Sequence, residues 1–328
     1  MLRRQGITLR TGPFTSRIRT AIPSVAEAIA LLYADYPIAQ PDDFADFHVR
    51  LTRPRNLRRW FKPQVEFRFD GNIPFKPLPL DQAFPMLEWG LNWCVSSHAH
   101  NYLILHAAVV EKDGRAAILP APPGSGKSTL CAALVNRGWR LLSDELALVR
   151  PADGMLIPLA RPVSLKNASI DIIKRYAPQA VFSRSVSDTQ KGTVAHMKAP
   201  ADSVARSQET AQPAWIIFPK YVPEAPARLE VLPRGRAFMR VADNAFNYSV
   251  LGAAGFTTLA NLVDTSACYD FSYSKLDEAM EVFAALPFPT TSCHPGKNNQ
   301  EGFPQSGKSR DPATLNQATQ HVTTLSST

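Results

Sequence analysis

An α/β fold is predicted by three observations in the sequence. Segments that alternate apolar and polar residues, as half-buried strands do, interleave with segments of helical apolar spacing. A buried-strand pattern at Ala116–Leu119 runs into a Gly- and Pro-rich loop, and that loop runs into a helical pattern from about Lys127. A further apolar run at Leu141-Leu142 ends on Ser143-Asp144-Glu145, placing acids at a strand end.

Residues 1–100 read as an N-terminal α/β region. Ser24 and Glu27 have capping-box spacing before an apolar stretch that ends near Tyr33. Phe47, Val49 and Leu51 alternate with His48, Arg50 and Thr52, which predicts a half-buried strand. Val65, Phe67 and Phe69 alternate likewise and stop at the turn pair Asp70-Gly71. Phe84, Leu87, Leu91, Cys94 and Val95 recur at helical spacing after a cap at Asp81.

Residues 101–287 read as a P-loop core. Leu103–Val110 predicts a strand, Asp113-Gly114 a tight turn, and Lys127 to Arg137 a helix closed by Gly138. Ala168–Tyr176 reads as a helix. Residues 177–213 show little periodicity and read as a long loop, of the kind that is functional or mobile. Strands are expected at Trp215–Phe218, Leu229–Leu232 and Tyr269–Tyr273, and helices at Arg236–Asp243, Gly255–Val263 and Leu276–Leu286. From Pro287 the composition shifts to Ser, Thr, Asn, Gln, Gly and Pro, so residues 288–328 read as a disordered polar tail.

Over 328 residues the chain is 45% hydrophobic and 20% charged, which excludes wholesale disorder. Its formal net charge of +8 favours an anionic ligand or partner, with nucleotide, acidic protein and nucleic acid all open. Cys94, Cys131, Cys268 and Cys293 form no CxxC pair and no zinc spacing, as expected of reduced thiols. The start is basic but has no apolar stretch behind it, and no run of about 18 apolar residues occurs. A cytoplasmic protein is the expectation.

Ala121-Pro-Pro-Gly-Ser-Gly-Lys-Ser128 matches the Walker A pattern except that Ala121 replaces its first Gly. Gly124 and Gly126 let the backbone turn its N–H groups toward phosphate oxygens, and the helix that follows aims its positive end at the same place. Pro123, Gly124, Ser125, Gly126, Lys127, Ser128 and Thr129 are the candidate nucleotide contacts. Lys127 is expected to reach the β- and γ-phosphates of ATP, and Ser128 to ligate Mg²⁺. Gly302–Ser309 carries every fixed residue of the same pattern, but no strand precedes it and Pro312 interrupts any following helix, so it is set aside.

The acids at Asp144 and Glu145 follow a strand just after the loop helix, where a Walker B carboxylate is expected. One acid there can hold Mg²⁺ with Ser128, and the other can accept a proton from an attacking hydroxyl. Lys191 and His196, near Gly192, form a pair able to close over a triphosphate, or else an exposed loop. Arg50, Arg53, Arg55, Arg58, Arg59 and Lys62 surround Trp60 and Phe61. A solvated basic face is the commoner outcome of such a cluster; an acidic protein partner is a second reading, and nucleic acid is disfavoured. Tyr273-Ser-Lys-Leu-Asp277 approaches a guanine-reading motif, but Ser274 replaces its Asn and no Asp-x-x-Gly switch lies upstream, so a GTPase is not expected.

Together, His106-Ala-Ala-Val-Val, Asp113-Gly114, the P-loop and Arg137-Gly-Trp-Arg-Leu-Leu-Ser-Asp-Glu145 resemble the catalytic core of the HPr kinase/phosphorylases, within them the HPr kinase-related group A. His106 precedes Lys127 by 21 positions and Ser128 precedes Asp144 by 16, as in that family. The resemblance is firm over residues 101–150 and extends to about 290. It implies a PEP-carboxykinase-like P-loop fold, ATP and Mg²⁺, and phosphoryl transfer to a Ser or Thr of a small protein resembling HPr or PqqD, in an assembly that can be oligomeric. It implies Asp144 as the acid or base facing the acceptor hydroxyl, Glu145 as a metal ligand with Ser128 and Asp144, and His106 beside the γ-phosphate. The alternatives are a non-catalytic ATP-gated binding module and a small-molecule kinase. Two departures stand out: the family's Asp-Asp is Asp144-Glu145 here, and the stretch Arg161–Asn167, where the family carries a Glu, has no acid.

Overall fold

The computed structural model describes residues 5–40, 43–54 and 57–287. The chain divides into two compact units, residues 1–290 and 291–328, and every described residue belongs to the first. The polar tail, Cys293 and the Gly302–Ser309 pattern lie outside the described residues.

The first sheet is built from β1 (Ile7–Thr11), β2 (Phe14–Thr20), β3 (Ile38–Ala39), β4 (Phe47–Thr52), β5 (Gln64–Phe69) and β6 (Leu78–Pro79), in the order β3-β1-β2-β4-β5-β6. The alternation in β4 sets its faces: Phe47, Val49 and Leu51 are buried while His48 and Arg50 are exposed. Helices α1 (Pro23–Leu32) and α2 (Ala83–His98) pack together, and α2 also packs on β4 and β5.

Two expected caps do not form. Helix α1 begins at Pro23, whose fixed φ suits a first helical position, so Ser24 sits inside the first turn. Its N-cap is Ile22, whose N–H donates to the Thr20 hydroxyl at 3.1 Å. Asp81 lies in a short 3-10 turn, Leu80–Gln82, and α2 starts beyond it with no side-chain cap.

The core continues in chain order through β7 (Leu103–Lys112), β8 (Arg115–Pro120), α3 (Lys127–Val135), β9 (Arg140–Ser143), β10 (Leu146–Val149), β11 (Leu156–Ile157), β12 (Val163–Lys166) and α4 (Ala168–Tyr176). Then come β13 (Val186–Thr189), β14 (Gly192–Met197), α5 (Ala201–Ala205), β15 (Gln212–Tyr221), β16 (Arg228–Val231), α6 (Arg234–Asp243), α7 (Tyr248–Leu251), α8 (Ala253–Thr265), β17 (Ala267–Tyr273) and α9 (Leu276–Ala284). The central sheet runs β11-β10-β7-β8-β15-β17-β16, with β9 also paired to β7, and β12-β14-β13 form a third sheet.

The period of two along β7 divides this sheet between two cores. Leu103, Leu105, Ala107 and Val109 pack with Val241, Leu259 and Val263 of α6 and α8; Ile104, Ala108 and Val110 join the cluster that holds Leu130 and Leu134 of α3. Each such buried aliphatic contributes about 1.5–3 kcal/mol, which fixes the register that points β8 at the loop. Strands β8, β15 and β17 are parallel neighbours, so their C-terminal ends meet at one edge.

Residues 177–213 are not a loop. They hold β13, β14, α5 and the start of β15. The hairpin escapes a periodicity reading because Ser187 and Asp188 of β13 are both exposed, which leaves no alternation to see. Arg140, in the Arg-Gly-x-Arg segment, is buried and structural: it pairs with Glu111 of β7 and donates to the carbonyls of Arg206 and Glu209 at 2.9 Å each.

Candidate active site

The loop joins the end of β8 to the start of α3. Gly126 caps α3 at φ 90°, where L side chains are strained, and a Cβ there would stand 2.6 Å from the Tyr273 hydroxyl. That hydroxyl donates to the Gly126 carbonyl at 3.0 Å, and the Tyr221 N–H donates to the Ser125 carbonyl at 2.8 Å. The ends of β15 and β17 therefore hold the loop in shape. The first amides of α3 have no partner within the helix and carry its positive dipole end.

The loop floors a cleft of about 1160 Å³. Pro123, Gly124, Ser125, Gly126, Lys127, Ser128 and Thr129 all line it, as do His106 and Glu145. Lys127 is 6% exposed, and among the described residues its ammonium has no hydrogen-bond partner. Its charge is felt by both Asp144 and Glu145, and its N–H donors are left for an anion in the cleft.

More cations face the same space. Lys166 arrives on β12, Arg175 on α4 and Lys191 at the tip of the β13–β14 hairpin. Gly192 lets that tip approach: a Cβ there would lie 2.3 Å from Asn167 Oδ1, which accepts the Thr193 N–H at 3.0 Å. Lys191 also lies over the Trp89 ring, 5.2 Å from its centre. Burial first, and then the charges of Lys166 and Lys127, lower the Lys191 pKa. The arrangement is shaped for a polyanion.

The two acids occupy different places. Glu145 lines the cleft, and its Oε2 lies 3.2 Å from His106 Nε2. Burial pushes its carboxyl up, but the His106 hydrogen bond, with Lys127 and Lys166, holds it well below the ordinary range. Asp144 is 5% exposed and is not among the residues that line the cleft. Its Oδ2 accepts the Ser164 N–H at 3.0 Å, and the nearby Ser128 hydroxyl favours its charged form. Burial, then the Glu145 charge, raise its pKa to about 6 against the pull of Lys127 and Ser164. The two acids form the bend between the end of β9 at Ser143 and the start of β10 at Leu146, where the chain changes direction. So Ser128 and Asp144 form one pair, and Glu145 and His106 another.

His196 does not join Lys191 over the cleft. It is 1% exposed on β14 and lies inside the protein. Sequence reasoning also passed over cleft residues, among them Lys166, Arg175, Tyr176 and Tyr221, and set aside the Tyr273–Asp277 segment as a motif although four of its residues line the cleft. One signal was available for Tyr221 and Tyr273: ligands in open α/β sheets bind beyond the carboxyl ends of parallel strands, and both tyrosines sit there.

Among the described residues no group of three or more His, Cys, Asp or Glu side chains gathers as a metal site. Mg²⁺ carried with a nucleotide needs only one or two carboxylates beside phosphate oxygens, and the donors nearest the loop that could supply them are Asp144 and Glu145, with the Ser128 hydroxyl. Cys94, Cys131 and Cys268 are free and buried. No helix among the described residues is long and apolar enough to cross a membrane.

Residues 84–159, which contain His106, the loop and both acids, match the family described as "SynChlorMet cassette protein ScmC". No curated protein matches this chain. Among solved structures, the chain is similar to the Hpr(Ser) kinase/phosphatase from Coxiella burnetii at 12% identity and a TM-score of 0.25, over 55% of this chain and 91% of that one.

Proposed function

We propose that this chain is an ATP-dependent kinase of the HPr kinase/phosphorylase kind, which transfers the γ-phosphoryl of ATP to a Ser or Thr hydroxyl of a small protein resembling HPr or PqqD. On this reading residues 101–287 are a PEP-carboxykinase-like P-loop core and residues 1–100 an added α/β region. The observation that carries it is the buried, unpartnered ammonium of Lys127 at the head of α3, in one cleft with the Glu145–His106 pair.

The triphosphate lies on the amides of the loop, with Lys127, Lys166 and Lys191 against its oxygens. Ser128 and Asp144 would hold Mg²⁺, whose charge would offset that of the phosphates. The acceptor oxygen forms its bond to the γ-phosphorus as the β–γ bridging P–O bond breaks and ADP leaves. Its proton passes to Glu145, which His106 orients. The His106 bond first, then Lys127 and Lys166, keep Glu145 weakly basic; phosphate that engages the two lysines raises its basicity.

The test is incubation with γ-labelled ATP and candidate small proteins, comparing Glu145→Gln with Asp144→Asn. The first should lose transfer by about 10²–10⁴-fold and keep Mg·ATP affinity, as for the loss of a general base. The second should lose the Mg²⁺-dependent part of that affinity. If Asp144→Asn instead keeps metal-dependent binding and loses transfer, Asp144 is the base. A second reading, an ATP-gated binding module without catalysis, is favoured by the lack of an acid across Arg161–Asn167. It predicts no transfer by the wild type and an ATP-dependent partner affinity that survives Asp144→Asn.

A further inference from the structure

A second cavity of about 20 Å³ lies beside Asp144 and shares Glu145 and Ser164 with the cleft. Trp89 of α2, Asp144, Arg161, Ser164 of β12 and His196 of β14 all line it. Each brings a buried polar atom that has no hydrogen-bond partner among the described residues: Trp89 Nε1, Asp144 Oδ1, Arg161 Nε, Ser164 Oγ and both ring nitrogens of His196. Such orphaned groups are rare in folded proteins, and five residues contributing them to one cavity is a designed arrangement rather than scatter.

The chemistry of the set identifies what fills it. Trp89 and Arg161 present N–H donors and no acceptor; Asp144 Oδ1 is an acceptor. Ser164 and His196 face each other across the β12–β14 ladder as register partners and can act in either sense. A cation is opposed by two N–H groups, and an anion by the Asp144 carboxylate. A water accepts from Trp89 and Arg161 and donates to Asp144 Oδ1 and to the Ser164–His196 pair. The volume is that of one water, since a site needs about 10–15 Å³ to hold it.

We infer that this cavity is a built site for a single water molecule, and that Trp89, Arg161 and His196 are positioning residues that hold the Asp144 carboxylate through it. Asp144 is then fixed on both oxygens: Oδ2 by the Ser164 N–H at 3.0 Å, and Oδ1 by the water. The network reaches further back. Arg161 donates to Asn92 Oδ1 at 2.8 Å and to Glu88 Oε2 at 2.6 Å, and the Tyr33 hydroxyl donates to Glu88 Oε1 at 2.7 Å. Helices α1 and α2 of the N-terminal region are thereby tied to the acid beside the phosphate loop. The water site rests on geometry alone; its effect on rate rests on the kinase reading.

The first test is a high-resolution crystal structure of the whole chain. A spherical density peak within hydrogen-bond distance of Trp89 Nε1, Arg161 Nε and Asp144 Oδ1 is expected; a site collapsed shut, or filled by a side chain, overturns the inference. The second is Trp89→Phe, which keeps an aromatic ring under Lys191 and removes the N–H. The kcat for transfer should fall about tenfold, the worth of one such hydrogen bond, while KM for ATP and the unfolding midpoint stay at wild-type values. An unchanged kcat, or a joint loss of kcat, KM and stability, contradicts a positioning role. Should the wild type transfer no phosphoryl group, the kinase reading fails by itself and the crystal structure alone decides the water site.

Discussion

His106 Nε2 lies 3.2 Å from Glu145 Oε2, because β7 and β10 pair antiparallel with His106 opposite Leu146, the residue after Glu145. The ladder thus brings together two side chains 39 positions apart in sequence.

This pair sets a pH limit. Burial lifts the Glu145 carboxyl, and the His106 bond and two lysines more than reverse the lift, so Glu145 is ionised well into acid. His106→Asn removes the largest of the lowering influences, and the Glu145 pKa rises. The acid limb of the pH–rate profile for transfer should move to higher pH. A limb that stays put means that Glu145 is not the titrating base.

Gly126→Ala should be severe for two separable reasons. The backbone sits at φ 90° and the new methyl meets the Tyr273 hydroxyl. Strain at such a position costs about 1–3 kcal/mol, and the loop's amides lose their aim. Tyr273→Phe on the same chain removes the clashing oxygen but not the φ penalty. ATP affinity, measured by calorimetry, should be lost in Gly126→Ala and recover only in part in the double variant.

The loop was legible in the sequence because its chemistry is local. Gly124, Gly126, Lys127 and Ser128 sit in one short stretch between a strand and a helix, and nothing distant is needed to recognise them. The split of Asp144 from Glu145 was not legible. It depends on the bend between β9 and β10 that holds both acids, and on the Ser164 N–H, twenty positions on, reaching back to Asp144. The hairpin at 186–197 was hidden for another reason. Its outer strand is exposed at Ser187 and Asp188, so the hydrophobic pattern that reveals strands is missing, and with it went the position of Lys191 over the cleft. The caps predicted at Ser24 and Asp81 failed because local signals competed with Pro23 and with a 3-10 turn.

The buried pair Arg140–Glu111 ties the start of β9, the strand that leads to the two acids, to β7. Arg140→Ala leaves Glu111 as an uncompensated charge and should destabilise the protein by about 3–5 kcal/mol in denaturant unfolding. Replacing both residues by apolar ones of similar size, Arg140→Met with Glu111→Leu, should restore much of that loss. Equal stability of the single and double variants would mean that the pair's partner carbonyls, not its charges, dominate.

His196 should make stability depend on pH. Burial lowers its pKa from 6.5 to about 4, with Glu88 acting in the opposite direction. The unfolded chain therefore binds a proton that the folded chain refuses. The contribution is complete above pH 6.5, erodes as pH falls toward about 4, and is level below that. A shift of this size corresponds to about 3 kcal/mol. His196→Gln, followed by chemical unfolding across that range, should flatten the profile; an unaltered slope assigns it to other groups.

The central claim is an anion cradle completed by one buried ammonium, and calorimetric titration of Mg·ATP into wild type and Lys127→Met tests it most directly. The variant removes the ammonium that faces the cleft without a hydrogen-bond partner among the described residues, so a folded Lys127→Met protein should bind ATP at least tenfold more weakly. Wild-type affinity in a folded Lys127→Met protein would contradict the account.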